Sequence, residues 1–318
     1  MTNDDAAVGI LLPRDLPAPS VLPFARRAEQ AGFDELWVVE DLGFRGGIAQ
    51  AAAVLAVTDR IRVGIGILPV GARNVAFTAM ELNTLAEMFP GRVDAGIGHG
   101  MPGWMRQVGA WPASPLTLLR EQSVALRALL RGEIVSVDGS HVRLADVTLE
   151  GPAPQVPRVL AGVRGPRSLA EAGRSADGTV LAEPATPEYI AAARSHIGDA
   201  PGHRVVAYNV ASVHPDAAVA YAAVRPALAW IGEPDWSPHV APLPFAAELA
   251  ELRARSASRE AFAAALPDAW VAQLAVAGTP DACRARIRQM HDAGAASVVL
   301  TPSGPDPLAD LDAFATVL

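Results

Sequence analysis

One cysteine, Cys283, stands in the 318-residue sequence. A single thiol forms no intramolecular disulfide and builds no thiolate metal cluster. Its place between Ala282 and Arg284 on a predicted helix reads as an inert packing thiol, not a nucleophile. Lysine is absent: the basic residues are arginines, scattered singly or in pairs. With a net charge of −8 and no basic cluster, a nucleic-acid partner is not expected. No window of about 18 apolar residues is free of charge, which argues against a membrane-spanning helix. Residues 1–7 carry acids and no basic stretch, which argues against a signal peptide. These absences predict a cytoplasmic protein with no metal site. Charged residues are only 19% and apolar ones 51%, so a large core can be buried and global disorder is excluded.

Short apolar runs rich in Val, Ile and Leu alternate with longer amphipathic stretches. The pattern predicts strands at 8–12, 35–39, 61–68, 93–98, 158–161, 178–182, 204–213 and 297–300. Helices are expected between them, with Ser20, Asn74 and Thr279 as N-caps and Gly32 as a stop. Eight strands with intervening helices imply parallel pairing and right-handed crossovers, and eight is the number that closes a barrel. A doubly wound open sheet is the rival. The reading is one α/β domain over 1–318, a (β/α)8 TIM barrel with two insertions. Around Asp138-Gly139, alternating apolar residues at 133–150 predict a hairpin. The Ala-rich, proline-broken stretch 215–275 predicts a helical layer. Both are expected to shape a substrate pocket, with Trp104 the tryptophan best placed to line it.

In such a barrel, chemistry sits where strands end. Glu40-Asp41 follows the second strand, Gly64-Ile65-Gly66-Ile67-Leu68 closes the third, and Gly98-His99-Gly100-Met101 follows the fourth. Gly162-Val163-Arg164-Gly165-Pro166 follows the fifth, and Leu181-Ala182-Glu183-Pro184 the sixth. Glycine lets backbone approach a flat ligand closely, and nucleophiles are scarce here, which suits a cofactor that carries its own chemistry. Adjacent strand residues face opposite ways, so Glu40 and Asp41 divide between one ligand contact and one salt bridge, with Arg45 at hand as partner. The two glycines inside the third strand mean either close packing in a narrow barrel or a bulge with an unusual peptide bond. His99 is either a structural histidine or a ligand contact. The run Gly96-Ile97-Gly98-His99-Gly100 does not match a dinucleotide fingerprint: its last spacing is short and no acid ends a strand downstream. Arg164, Arg167, Ser168 and the helix start at Gly165-Pro166 form either a phosphate cradle or an ordinary exposed cap. No carboxylate pair is visibly set across the mouth for glycoside hydrolysis.

Taken in order, AGFDELWVVED, TDRIRVGIGILPVGARNVAFTAMELNTLAEMFPGRVDAGIGHG, LAGVRGPRSLAEAGRSADGTVLA and GTPDACRARIRQMHDAGAASVVLTPSGPDP resemble the luciferase-like monooxygenases and the deazaflavin-dependent reductases and dehydrogenases of that superfamily. The resemblance implies a TIM barrel and a non-prolyl cis peptide at Gly66-Ile67 that backs the cofactor ring, with Leu68 beside it. It implies that Gly98-His99-Gly100 flanks the ring, and that Gly162, Arg164, Gly165 and Pro166, with Leu181 and Ala182, hold the remainder of the cofactor and its phosphate. Glu40, Asp41 and His99 are the candidate catalytic side chains.

Two departures bear on activity. Many members have Asp-His where this chain has Glu40-Asp41, and the sugar-phosphate dehydrogenase branch has a glutamate where this chain has Met101. Oxidation of an alcohol needs a base, so that activity is disfavoured. Reduction of an imine or activated alkene, as in the methylenetetrahydromethanopterin reductase-like branch, demands less, with Glu40 or Asp41 as proton source if burial raises its pKa. The expectation is hydride transfer from reduced coenzyme F420 to a small organic substrate, in a monomer or homodimer. The alternatives are a monooxygenase using reduced FMN and oxygen, and a cofactor-binding protein without turnover.

Overall fold

The computed structural model describes residues 6–318. The acidic N-terminus read above therefore lies, through residue 5, outside the described residues. In chain order the strands are β1 Ala7–Leu11, β2 Glu35–Val38, β3 Arg62–Pro69, β4 Val93–Gly98, β5 Val135–Asp138, β6 Arg143–Val147, β7 Arg158–Gly162, β8 Gly178–Leu181, β9 Arg204–Val213, β10 Val276–Gly278 and β11 Ser297–Pro302. β11, β1, β2, β3, β4, β7, β8 and β9 pair side by side. Parallel pairing of Gly178 with Arg204 and Leu181 with Ala207 joins β8 to β9 and closes the ring. The fold is thus a (β/α)8 barrel, and the open-sheet rival falls.

Closure works because the barrel strands are dry on both faces. β9 is buried along its whole length. Side chains such as Val63, Ile65, Ala95, Ile97, Val159 and Ala161 pack outward beneath the helices, while Trp37, Leu160, Val180, Val206, Tyr208 and Val299 fill the interior. A Cβ on Gly64 would stand 2.3 Å from the Trp37 ring, so this glycine is the space the indole occupies. Below it, Glu35, Arg204 and Ser297, the first residues of their strands, meet at the N-terminal end of the barrel. Glu35 pairs there with Arg204 and accepts hydrogen bonds from Trp37 Nε1 (2.8 Å) and Ser297 Oγ (2.7 Å). That polar floor leaves the C-terminal mouth as the open end.

The caps at Asn74 (Oδ1 accepting from Ala76 N, 2.9 Å), Thr279 and Gly32 (φ +100°) are as the sequence predicts. Ser20 is not a cap: the helix begins at Ala18, because Pro19 suits a first helical turn and draws the start upstream. The hairpin at 133–150 is present as β5 and β6, with its reversal at 139–142. Glu121 accepts hydrogen bonds from the backbone N–H groups of Ser140, His141 and Val142 and pins the tip to the flank of helix Pro115–Leu130. The hairpin is thus held against that helix through its tip. Its backbone donors are taken up by a helix side chain, and its residues stay beside that helix.

The helical layer leaves the C-terminal end of β9 and returns through β10, which pairs with the last residues of β9. It has its own apolar core, with Val224, Leu228, Leu249, Phe262 and Val271 at its centre. β10, a short helix at Pro102–Gln107 and a helix at Pro307–Phe314 are absent from the sequence reading. Among the described residues no helix is long and apolar enough to cross a membrane. Among them, too, no group of three or more His, Cys, Asp or Glu side chains converges on a metal position. Cys283 is fully buried, and burial pushes its thiol pKa up to about 12, in keeping with an inert packing role.

Candidate active site

The mouth of the barrel is shaped by an irregularity in β3. Ile65 pairs with Ala95 and Leu68 with Ile97, so Gly66 and Ile67 together face the single residue Gly96. The peptide between Gly66 and Ile67 is cis. Strand alternation alone would turn Ile67 outward after Val63 and Ile65. The extra residue turns it inward instead and sends Leu68 into the outer core, where it is 1% exposed. Ile67 then lies over the neighbouring strands. A Cβ built on Gly96, Gly98 or Gly162 would stand 3.0, 3.2 or 2.5 Å from an Ile67 side-chain carbon. These glycines, read from the sequence as bare backbone for a flat ligand, make room first of all for Ile67. Gly66 and Ile67 themselves are half-buried and face the mouth.

Tyr208 Oη, Thr301 Oγ1 and His99 Nδ1 are buried and make no hydrogen bond among the described residues. A Cβ on Gly66 would lie 2.1 Å from the Tyr208 hydroxyl, so that hydroxyl sits against the cis bulge. Burial pushes the pKa of His99 down, favouring a neutral imidazole, and burial first, then Glu183 and Glu35, pushes that of Tyr208 well up. A neutral donor-acceptor set facing an apolar ledge is what a planar, polar-edged ligand requires.

The predicted acids are committed elsewhere. Glu40 accepts from Gly47 N (2.7 Å) and from Arg73 Nη2 (2.8 Å), and Arg73 also holds Glu81 (2.9 Å). Asp41 pairs with Arg14 at 2.6 Å. The expected partner Arg45 turns instead to the carbonyls of Pro13 and Arg14, because both carboxylates already have closer guanidinium groups. Neither is the isolated, buried carboxyl that the proton-donor reading needs. The sequence reading passed over Glu183. It follows Leu181 and Ala182, is half-buried, and makes no ion pair among the described residues. Its signal lay in its position, an acid directly after a barrel strand.

At the helix start at Pro166, Gly165 caps without a side-chain hydrogen bond, and a Cβ on Gly165 would meet nothing within 4 Å. Its first N–H groups therefore remain available to an anion. Arg167 is exposed in that first turn. Arg164 is engaged, donating to the carbonyl of Asp235 (3.2 Å) with its guanidinium 4.8 Å from the Trp236 ring centre. Trp236 Nε1 in turn donates to the carbonyl of Glu183 (3.1 Å). His239, fully buried, stacks on Tyr189 (4.3 Å between centroids) with Nδ1 3.2 Å from the carbonyl of Pro184. The helical layer is thereby tied to the rim by residues whose long-range partners no local pattern marks. Of the predicted residues, the structure brings Gly66, Ile67, His99, Arg164, Gly165 and Ala182 to the mouth. The side chains of Leu68 and Leu181 point into the outer core.

The chain is 29% identical over 302 residues to the 5,10-methylenetetrahydromethanopterin reductase of Methanolobus tindarius, covering 91% of this chain and 92% of the relative. It is 35% identical over 181 residues to the F420-dependent glucose-6-phosphate dehydrogenase of Beutenbergia cavernae, covering 53% and 52%. The solved structure of the coenzyme F420 dependent tetrahydromethanopterin reductase from Methanopyrus kandleri superposes with a TM-score of 0.82 at 22% identity, over 98% of this chain and 97% of that one. The luciferase-like monooxygenase family matches residues 8–297.

Proposed function

The chain belongs to the luciferase-like monooxygenase family, and we propose that within it the protein is an oxidoreductase that uses reduced coenzyme F420 to reduce a small organic acceptor. The observation that carries this reading is the Gly66-Ile67 bulge, which sets an apolar ledge in a barrel mouth where Tyr208 Oη, Thr301 Oγ1 and His99 Nδ1 have no partner among the described residues. Those atoms fit the polar edge of a deazaflavin ring, and the open helix start at Gly165-Pro166 fits its phosphate. The similarity along nearly the whole chain to a methylenetetrahydromethanopterin reductase favours reduction over oxygen insertion. When bound, the reduced ring supplies a hydride.

The residues of this chain do the rest. Ile67 supports one face of the ring. His99, kept neutral by burial, offers one donor and one acceptor. Tyr208 and Thr301 lie deeper and offer hydroxyl groups, and the helical layer shields the rim from water. Titration with oxidised F420 and with FMN, read by tryptophan quenching, tests the reading. F420 is expected to bind at least about tenfold more tightly, a difference of about 1.4 kcal/mol. Tighter binding of FMN replaces it with the monooxygenase reading, and binding of neither removes it.

A further inference from the structure

Hydride transfer to a polarised double bond leaves a negative charge that a proton must quench. Among the mouth carboxylates, Glu40 and Asp41 are held in ion pairs by Arg73 and Arg14. Glu183 makes no such pair among the described residues. The Glu183–Pro184 peptide is cis, and Trp236 donates to the Glu183 carbonyl. One residue on, Asn209 grips both backbone groups of Ala185, accepting from its N–H (3.1 Å) and donating to its carbonyl (3.2 Å).

Arg14, Asp41 and Arg164 act on the Glu183 carboxyl. They follow β1, β2 and β7 as Glu183 follows β8, so all four residues stand at the C-terminal mouth of the barrel. The remaining titratable neighbour, His239, packs against Pro184 and is neutral. Burial, reinforced by Asp41, raises the pKa of Glu183 against the opposing pull of its own N–H, Arg164 and Arg14.

We propose that Glu183 is the catalytic acid of this site, giving its proton to an acceptor whose polarised C=N or C=C bond takes the hydride. This rests on the F420 reading above. Hydride from the reduced deazaflavin forms a C–H bond at the electrophilic carbon. The π pair moves to the adjoining atom, or through conjugation to an oxygen, and forms a bond to the Glu183 proton. The acceptor gains two electrons and two hydrogens, the cofactor leaves oxidised, and Glu183 remains as a carboxylate facing Arg164 and Arg14 until solvent reprotonates it.

The test uses the full chain and Glu183→Gln, with 2-cyclohexen-1-one and 1-pyrroline as acceptor probes. Infrared pH titration of the cofactor-free protein comes first. The Glu183 carboxyl band is expected to titrate above the usual carboxyl range and to vanish in Glu183→Gln; a spectrum unchanged by the substitution overturns the proposal. Oxidised F420 should bind both proteins alike, which also reports that the variant is folded. In single turnover with reduced F420, Glu183→Gln should slow reoxidation by a probe about 100-fold and abolish the decline toward high pH. A variant within about threefold of the wild type, with the same pH profile, overturns the proposal while leaving the cofactor reading intact. Failure of wild-type protein to bind F420 removes the cofactor reading instead. Binding without turnover of either probe overturns the assigned acceptor class.

Discussion

Ile67 occupies the space above Gly162: a Cβ added to that glycine would stand 2.5 Å from Ile67 Cγ2. The contact joins β3 to β7 across the inner face of β4, and it makes the ledge in the barrel mouth a product of packing between strands.

Gly162→Ala should therefore displace Ile67, destabilise the barrel by about 1–3 kcal/mol and weaken F420 binding. Ile67→Ala in the same chain should restore most of the stability but not the affinity, since the ledge would be gone. Urea unfolding and cofactor titration of the two single variants and the double variant check this. Additive losses of stability would show that the two residues do not share this space.

The Glu35–Arg204 pair has side chains only 2% and 4% exposed. Removing the cation leaves a buried carboxylate whose other partners are Trp37 and Ser297. Arg204→Met should cost about 3–5 kcal/mol in urea unfolding, and Glu35→Gln added to it should recover part of that loss. A single-variant loss well below 1 kcal/mol would contradict the picture of a floor built on charge pairing.

Burial, then Arg164, pushes the pKa of His239 down to about 3; burial, then Arg194, pushes that of His203 down to about 4. Both return to about 6.5 in the unfolded chain, which then binds protons the folded chain refuses. Their contribution to stability is complete above about pH 6.5 and is lost as pH falls toward the folded values, with a slope of up to about 1.4 kcal/mol per pH unit for each. His239→Phe keeps a ring against Tyr189 and should remove one proton from that slope between pH 6.5 and 5. Equal slopes in variant and wild type would sink the assignment.

Arg164 ties the rim to the helical layer, whereas Arg167 is exposed at the open helix start. Arg164→Ala should speed proteolysis of the segment around 234–240 and hydrogen exchange there. Arg167→Ala should leave that segment protected. The double variant should lose more affinity for F420 than for its dephosphorylated analogue, because only the former presents a phosphate to the helix N-terminus. Equal losses for the two ligands would remove the phosphate assignment.

Gly66→Val illustrates how the structure changes an expectation. From the sequence, a side chain at 66 is expected to block a ring on a folded barrel. In the structure that Cβ already meets the Tyr208 hydroxyl at 2.1 Å. The variant should lose stability as well as binding, and Tyr208→Phe should return part of the stability, as a melting-temperature comparison would show.

The sequence by itself determined the eight strands of the barrel and their parallel pairing, though not β10. Runs such as Val159-Leu160-Ala161, and Val205-Val206-Ala207 in β9, are apolar on both faces, and that pattern is local. The glycines at 64 and 66 left close packing and a bulge open, and only the family resemblance pointed to the cis peptide at Gly66-Ile67; proline at 166 marked the helix start. Tertiary structure alone decided which way side chains face and which charges meet. Ile67 turns inward only because β3 carries one residue more than β4 opposes. Glu40 pairs with Arg73, 33 positions away, Arg164 with the carbonyl of Asp235, 71 positions away, and Glu183 makes no ion pair among the described residues. Pairings over such separations depend on which strand ends the closed barrel brings together, and no spacing along the chain records that.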